Sequence, residues 1–337
     1  MKPAKASDPI GKNTSRELAA DILHKVETRK AYADLLLDRA LKQSSLSPRD
    51  GALLTELVYG TLRWRSRLDW HLARYLRRSL STTDPHLRSV LRLALFQILF
   101  LDKVPDYAAV NEAVEHAKRY GGKRGAAFVN GVLRKFLSEK GRVSYPNPDD
   151  DLVGYLAVIG SHPQWLVKRW LGQFGRAETE ALLQANNEQA PLTLRANLLK
   201  GTRDALLGRL VESGLEATPT RWSPQGVRVE SCFGVQRLPG FDEGLFYVQG
   251  EASQLVGYLL DPKPGGTLVY ATCTLTREEN EETVENFLCP HPAFVLEDAA
   301  DHLPGDARQL VSGRYFMALP HRHDTEGFFA ARMRKSG

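Results

Sequence analysis

One cysteine of this sequence stands where it could act as a nucleophile. Cys273 ends the run Gly266–Cys273, which is largely apolar and β-forming, and threonines flank it at positions 272 and 274. A thiolate is a strong nucleophile, and open α/β sheets bind their ligands beyond the carboxyl ends of the strands. A cysteine in an apolar strand is more often a small core residue. The position alone therefore leaves a catalytic and a structural interpretation open.

A second group of residues has the chemistry of nucleic-acid contact. Arg63, Arg65 and Arg67 alternate along a short segment, and Trp64 lies among them. Guanidinium groups offer forked donors to phosphates, and an indole can stack on an unpaired base. The segment predicts RNA binding through these four side chains. The alternative for the tryptophans is packing in the core, which we favour for Trp70.

Charge is distributed unevenly along the 337 residues. Residues 1–140 contain 26 Lys and Arg against 15 Asp and Glu, whereas the remainder contains 19 against 25, so that the net +5 divides into +11 and −6. This asymmetry favours a polyanion-binding module joined to a second part with another role. A solvated basic helical surface would give the same count.

Other features narrow the class of protein. The three cysteines are too few and too scattered for a disulfide framework or a zinc site, and the histidines 321 and 323 have no further ligands near them in the sequence. The longest apolar run, Val90–Leu101, is too short to cross a bilayer, and Met1–Asn13 lacks an apolar signal core. We therefore expect a cytoplasmic protein without a membrane span or a metal.

Apolar periodicity, prolines and glycines divide the chain into parts. Leucines, valines and phenylalanines recur at helical spacing in the first part, strands and helices mix in the second, and the third contains the apolar run that ends at Cys273. The predicted parts are a disordered lead (1–14), an all-α domain (15–140), a linker (141–162), a small α/β subdomain (163–240) and a further α/β domain (241–337).

Several motifs resemble those of the Sun/RsmB-type rRNA cytosine-C5 methyltransferases, the NOL/NOP/Sun family. Three segments of the first part resemble its NusB-like RNA-binding domain, and four later segments resemble its catalytic region. The first three are Val58–Trp70, Ala109–His116 and Phe128–Arg134; the others are Ser161–Leu166, Leu238–Gln254, Tyr270–Leu275 and His321–Met333.

The resemblance implies a fold and a reaction. It implies a multidomain protein with an all-α NusB-like domain, a small α/β RNA-binding domain and a Rossmann-like α/β methyltransferase domain. The implied donor is S-adenosylmethionine and the implied partner is small-subunit (16S) ribosomal RNA. Cys273 would be the nucleophile that adds to C6 of cytosine, which makes C5 reactive enough to accept a methyl group.

One part of the family pattern is missing from this sequence. It contains neither the Asp-Ala-Cys-Ala-Ala-Pro-Gly-Gly-Lys turn that holds the donor nor the Asp-Ala-Pro-Cys segment with a second cysteine, and neither Cys232 nor Cys289 follows a proline. Two similar Pro-Gly stretches meet at Gly265 and Gly266, and at roughly 30 residues per βαβ unit the gap is on the order of a hundred residues. No cofactor-binding residue is therefore identifiable, and the C-terminal domain is predicted to be truncated.

The truncation has a physical consequence. The strand that leads to Cys273 would lose its neighbours on one side and become an exposed edge of a sheet with about three strands. We therefore expect that this chain neither binds S-adenosylmethionine nor methylates RNA. The alternative is a non-catalytic RNA-binding protein that uses the basic helical domain. A transcription antitermination factor would rest on the NusB-like fold alone, and fold does not fix function.

Overall fold

The computed structural model describes residues 14–230, 234–259 and 266–335. These residues form two compact units that divide between Leu183 and Gln184. The predicted lead (1–14) lies outside the described residues except for Thr14. Cys232 and Gly265 also lie outside them.

The first unit is helical, as the sequence predicts. Its helices are α1 (Ser15–Arg29), α2 (Ala33–Gln43), α3 (Pro48–Arg63), α4 (Arg65–Ala73), α5 (Pro85–Phe100), α6 (Asp106–Glu139), α7 (Leu152–Ile159) and most of α8 (Gln164–Asn187). Helix α3 begins after Ser47, whose hydroxyl accepts from the backbone N–H of Asp50, and Pro48 takes the first helical position.

Helix α5 lies at the centre of this unit. Side chains on all of its faces are buried, including Leu91, Leu95 and Phe96, and it packs against α1, α3, α4 and α6. A helix that is apolar all round is typical of a core helix. Two long helices bend at glycines with positive φ, at Gly122 in α6 (φ 61°) and at Gly175 in α8 (φ 76°).

The segment predicted to be a linker contains an ordered helix. Helix α7 begins after Asp151, whose carboxylate accepts from the backbone N–H of Gly154 at 2.8 Å. Leu156 and Ala157 are buried, and α7 packs against α4. The prolines and acidic residues at 141–150 suggested a linker, but the apolar run that follows them attaches to the helical unit.

The second unit contains two antiparallel sheets. The first has the order β2-β3-β1-β4, from β1 (Leu192–Ala196), β2 (Ala217–Pro219), β3 (Gly226–Val229) and β4 (Phe246–Val248), with α9 (Arg203–Glu212) packed on it. This mixture of strands and a helix is what the sequence predicts for residues 163–240. The short strands β2 and β4 carry too few residues for a clear alternating pattern.

The second sheet has five strands rather than the expected three. They are β5 (Thr267–Thr272), β6 (Phe294–Leu296), β7 (Val311–Ser312), β8 (Tyr315–Ala318) and β9 (Phe328–Lys335). The hairpin β7–β8 is the addition. Three helices accompany this sheet: α10 (Glu251–Leu259), α11 (Glu281–Leu288) and α12 (Pro320–His323).

Strand β5 lies at the edge of this sheet. The order is β5-β9-β8-β7, β6 also pairs with β9, and every pairing among the described residues is antiparallel. A continuous apolar run such as β5 is typical of a strand buried on both faces of a parallel sheet, and that interpretation is wrong here: among the described residues β5 pairs with β9 alone, and it is only partly buried. Its predicted edge position is confirmed. Parallel neighbours require crossover units, which the described residues before and after β5 do not supply.

Candidate active site

Cys273 is exposed and is a free thiol at the carboxyl end of β5. It opens onto a cleft of about 510 Å³. The lining comes from β5 and the loop after it, from the start of β9 and from Thr283 of α11. The residues are Tyr270, Ala271, Thr272, Cys273, Thr274, Glu278, Glu279, Thr283 and Phe328. The cysteine is therefore reachable from solvent, as a nucleophile must be and a core residue is not.

The backbone on both sides of the thiol is fixed by Asn280. Its side-chain oxygen accepts from the Thr272 hydroxyl at 2.5 Å, and its amide nitrogen donates to the Thr274 carbonyl at 3.0 Å. Asn280 is 2% exposed, so both hydrogen bonds are shielded from water. The Thr274 hydroxyl also lies 3.1 Å from that of Thr276. This arrangement holds the loop that presents Cys273 in one conformation.

The cleft has an acidic rim. Glu278 and Glu279 line it. The lining contains no lysine, arginine or histidine. Carboxylates repel phosphates, so the cleft suits an uncharged base more than the backbone of a nucleic acid.

The described residues do not fit S-adenosylmethionine. A donor site of the expected type needs a Gly-rich turn that opens a helix, with an acidic residue at the end of the next strand. Beyond β5 the chain runs through the loop at 273–280 into α11. The first turn of α11 carries Glu281 and Glu282, whereas the turn of a donor site would be rich in glycine. Since β5 has no parallel neighbour in the described sheet, no crevice between parallel strands is formed beside it.

Two of the four predicted RNA-binding residues, Trp64 and Arg67, pack on aromatic rings of the helical unit. One face of Trp64 stacks on Phe100 at 4.4 Å between ring centroids. Arg67 lies over the rings of Trp64, Phe100 and Tyr145, and it donates to the Tyr145 hydroxyl at 3.0 Å. The backbone N–H of Arg67 donates to the hydroxyl of Ser161. These contacts join α4 to the chain on either side of α7.

The other two arginines face outward more fully. Arg65 is exposed, with a side-chain exposure of 48%, and it lies 3.6 Å from Glu27 and 3.9 Å from Asp69. Arg63 is partly exposed at the end of α3. Trp70, predicted to be a core residue, stacks on Tyr145 at 5.1 Å. The alternation of arginines in the sequence therefore does not correspond to one common face.

Sequence reasoning missed two groups of residues. Asn280 follows the cysteine by seven residues, but the acidic residues around it in the sequence gave no sign of its role. The second group consists of Asp21, His86 and His116, which the fold brings together in the helical unit. No spacing rule would join these three, since each comes from a different helix.

Comparison with known proteins matches three successive parts of the chain. The NusB family matches residues 13–138, the ferredoxin-like domain of RsmF/B-like methyltransferases matches residues 162–236, and the 16S rRNA methyltransferase RsmB/F family matches residues 247–334. The crystal structure of PH0851 superposes with a TM-score of 0.76 at 19% identity, covering 98% of this chain and all of the other, which supports the fold alone.

Two relatives carry the name probable ribosomal RNA small subunit methyltransferase B. The Bacillus subtilis protein is 28% identical over 451 aligned residues, covering 97% of this chain and the whole relative. The Synechocystis protein is 37% identical over 303 residues, covering 89% of this chain but 63% of the relative. Since 97% of 337 residues is about 327, at least about 124 of the 451 positions have no residue of this chain opposite them. That agrees in length with the stretch predicted to be missing at Gly265.

No helix among the described residues is long and apolar enough to span a membrane.

Proposed function

We propose that this chain, which matches the 16S rRNA methyltransferase RsmB/F family over residues 247–334 and is similar to a probable ribosomal RNA small subunit methyltransferase B over 97% of its length, binds small-subunit ribosomal RNA in the cytoplasm and presents the nucleophile of cytosine-C5 methylation without the donor site. The observation that carries this proposal is the exposed thiol of Cys273, held beside an open cleft by the buried amide of Asn280. The part that matches the NusB family lies in residues 1–140, which contain 26 Lys and Arg against 15 Asp and Glu and so carry the positive charge that favours an RNA partner.

The chemistry assigned to the thiol is addition to a pyrimidine ring. The thiolate forms a bond from sulfur to C6 of cytosine, and the electron pair of the C5–C6 double bond moves to C5. In the family S-adenosylmethionine then supplies the methyl group. The described residues do not fit that donor, so the proposal for this chain ends at the reversible adduct. The thiol itself, the cleft and Asn280 carry this step.

Covalent trapping tests the role of Cys273 without any donor. In RNA containing 5-azacytosine, sulfur adds to C6 and the electron pair moves to N5, which takes a proton from water; no methyl group is needed. We expect a denaturation-resistant protein–RNA adduct on gels with the unaltered chain and none with Cys273→Ala. The matched control is Cys289→Ala, since Cys289 is the other exposed free cysteine of the described residues.

The outcomes separate the two proposed functions. An adduct that persists in Cys273→Ala would overturn the role of this cysteine. RNA binding without an adduct in any variant would favour the alternative, a non-catalytic RNA-binding protein. An Asn280→Ala chain that still binds RNA but forms the adduct several-fold more slowly would support the positioning role of the amide.

Substitutions in the basic segment should divide into two classes. We expect Arg63→Ala and Arg65→Ala to weaken RNA binding and to reduce the slope of log affinity against log salt by about 1 for each phosphate that is no longer neutralised. Arg67→Ala should instead destabilise the fold by about 1–3 kcal/mol, because it removes a hydrogen bond and the stacking on three rings.

Fluorescence anisotropy with a small-subunit rRNA fragment over a salt series measures the first effect, and urea unfolding measures the second. Lys42→Ala is a suitable control, since Lys42 forms an exposed pair with Asp38 on α2. Equal salt slopes for the unaltered chain and for both arginine variants would exclude these residues from the RNA contact.

A further inference from the structure

Three side chains that commonly bind metals converge in the helical unit, far along the chain from the candidate active site. Asp21 comes from α1, His86 from the first turn of α5 and His116 from α6. One ligand atom from each lies within 4.8 Å of the other two. Both histidines are 7% exposed. Buried polar groups need partners, and these histidines find them in each other.

The two imidazole rings meet edge to edge. Their Nε2 atoms are 2.9 Å apart and the ring planes differ by 5°, so one ring donates an N–H to the lone pair of the other. In a tetrahedral zinc site with Zn–N bonds of about 2.0–2.1 Å, two ligand nitrogens lie about 3.3 Å apart. A metal ion can therefore replace the shared proton if the two Nε2 atoms move apart by a few tenths of an ångström and the rings tilt.

Neighbouring side chains orient the Asp21 carboxylate and neutralise the nearby cation. The hydroxyl of Tyr120 donates to Asp21 at 3.0 Å and orients its carboxylate. Arg119, the nearby cation, is paired with Glu17.

A third histidine lies next to this group. The ring of His24 is 5.0 Å from that of His86, and His24 lies one turn along α1 from Asp21. Its Nδ1 atom is buried and has no hydrogen-bond partner among the described residues. A buried imidazole nitrogen without a partner is costly, and a small movement of α1 would bring a further nitrogen ligand to the same point.

We propose that Asp21, His86 and His116 bind one zinc ion within the helical unit, with His24 or a water molecule as the fourth ligand. Two nitrogens and one carboxylate oxygen suit zinc. The ion would join α1, α5 and α6, so its role would be to stabilise this unit. The site differs from the expectation that the chain holds no metal, and it is independent of the function proposed for Cys273.

Metal titration of the intact chain tests the site. After removal of metals with a chelator, we expect one zinc ion per chain on calorimetric titration with zinc chloride, together with a rise in the melting temperature. Cobalt(II) should give the intense visible absorption of a tetrahedral complex. Affinity for zinc should fall about tenfold or more in His116→Gln and in His86→Gln. His291→Gln is the control, since His291 is an exposed histidine of the other unit.

The unaltered chain alone can overturn the proposal. If it binds no stoichiometric zinc, and its melting temperature does not change with zinc, then the imidazoles form only a hydrogen-bonded pair. Binding that is equally strong in folded His116→Gln and His86→Gln chains would place the metal elsewhere. Should either variant fail to fold, Asp21→Asn provides the same comparison from a partly exposed position.

Discussion

Titration of this chain with S-adenosylmethionine should give no measurable heat of binding at micromolar concentrations, and incubation with labelled donor and 16S rRNA should transfer no methyl group. A donor site needs a Gly-rich turn at a helix start and a crevice between parallel strands. The sheet that carries Cys273 is antiparallel throughout the described residues, and β5 forms its edge. The first turn of α11 carries Glu281 and Glu282 and cannot take the place of the missing Gly-rich turn.

The comparison needs a chain in which the donor segment is present. Inserting the corresponding stretch of the Bacillus subtilis relative between Gly265 and Gly266 should restore micromolar binding of the donor, with Cys273→Ala retaining that binding but losing transfer. We expect methyl transfer by the chain with the insertion to be more than about a thousandfold faster than by the unaltered chain, because the donor site positions the methyl group as well as supplying it. Micromolar donor binding by the chain without the insertion would contradict the prediction. So would methyl transfer by that chain, if the transfer were lost when Cys273→Ala is made in the chain without the insertion.

The site and its limits were predictable to different degrees from sequence. Cys273 could be named as a candidate nucleophile because strand ends and their flanking residues are local features, but its position left a structural interpretation open, and the catalytic one rested on the motif resemblance. The edge position of β5 followed from counting the strands that remain, because a strand without parallel neighbours must pair otherwise or stay exposed. Asn280 could not be assigned its role, since its two hydrogen bonds depend on how the loop folds back over the end of β5.

The basic segment shows why residue types alone mislead. Arg63, Arg65 and Arg67 alternate in sequence, but a helix end and a helix start meet at Trp64, so their side chains diverge. Arg67 then packs on rings contributed by distant parts of the chain, a tertiary effect that no local pattern encodes. The same reasoning applies to His86 and His116, 30 positions apart, whose rings meet only because α5 packs on α6.

The largest effect on stability is expected at Arg92, a buried arginine of α5. It is 6% exposed and donates two hydrogen bonds to Asp69, at 2.6 and 2.8 Å, and one to Glu27 at 2.9 Å. Arg92→Ala would remove from Asp69 its two hydrogen bonds in a partly buried site and leave Glu27 with Arg88, at 3.1 Å, as its close partner. Removing one partner of a buried ion pair costs about 3–5 kcal/mol, whereas Lys42→Ala, at an exposed pair on α2, should cost no more than about 1 kcal/mol.

The pH dependence of unfolding identifies the cause of that loss. Although burial alone would raise the pKa of Glu27, hydrogen bonds and charge from Arg92 and then Arg88 outweigh it and lower the pKa below the ordinary value of 4.5. Such a group stabilises the fold above its unfolded pKa, and this contribution is lost as the pH falls through its folded pKa. Urea unfolding should therefore show a gap between the unaltered chain and Arg92→Met that is widest at neutral pH and narrows below about pH 4.5. Methionine keeps most of the side-chain volume, so a gap that stays constant over this range would assign the loss to packing and not to the ion pairs.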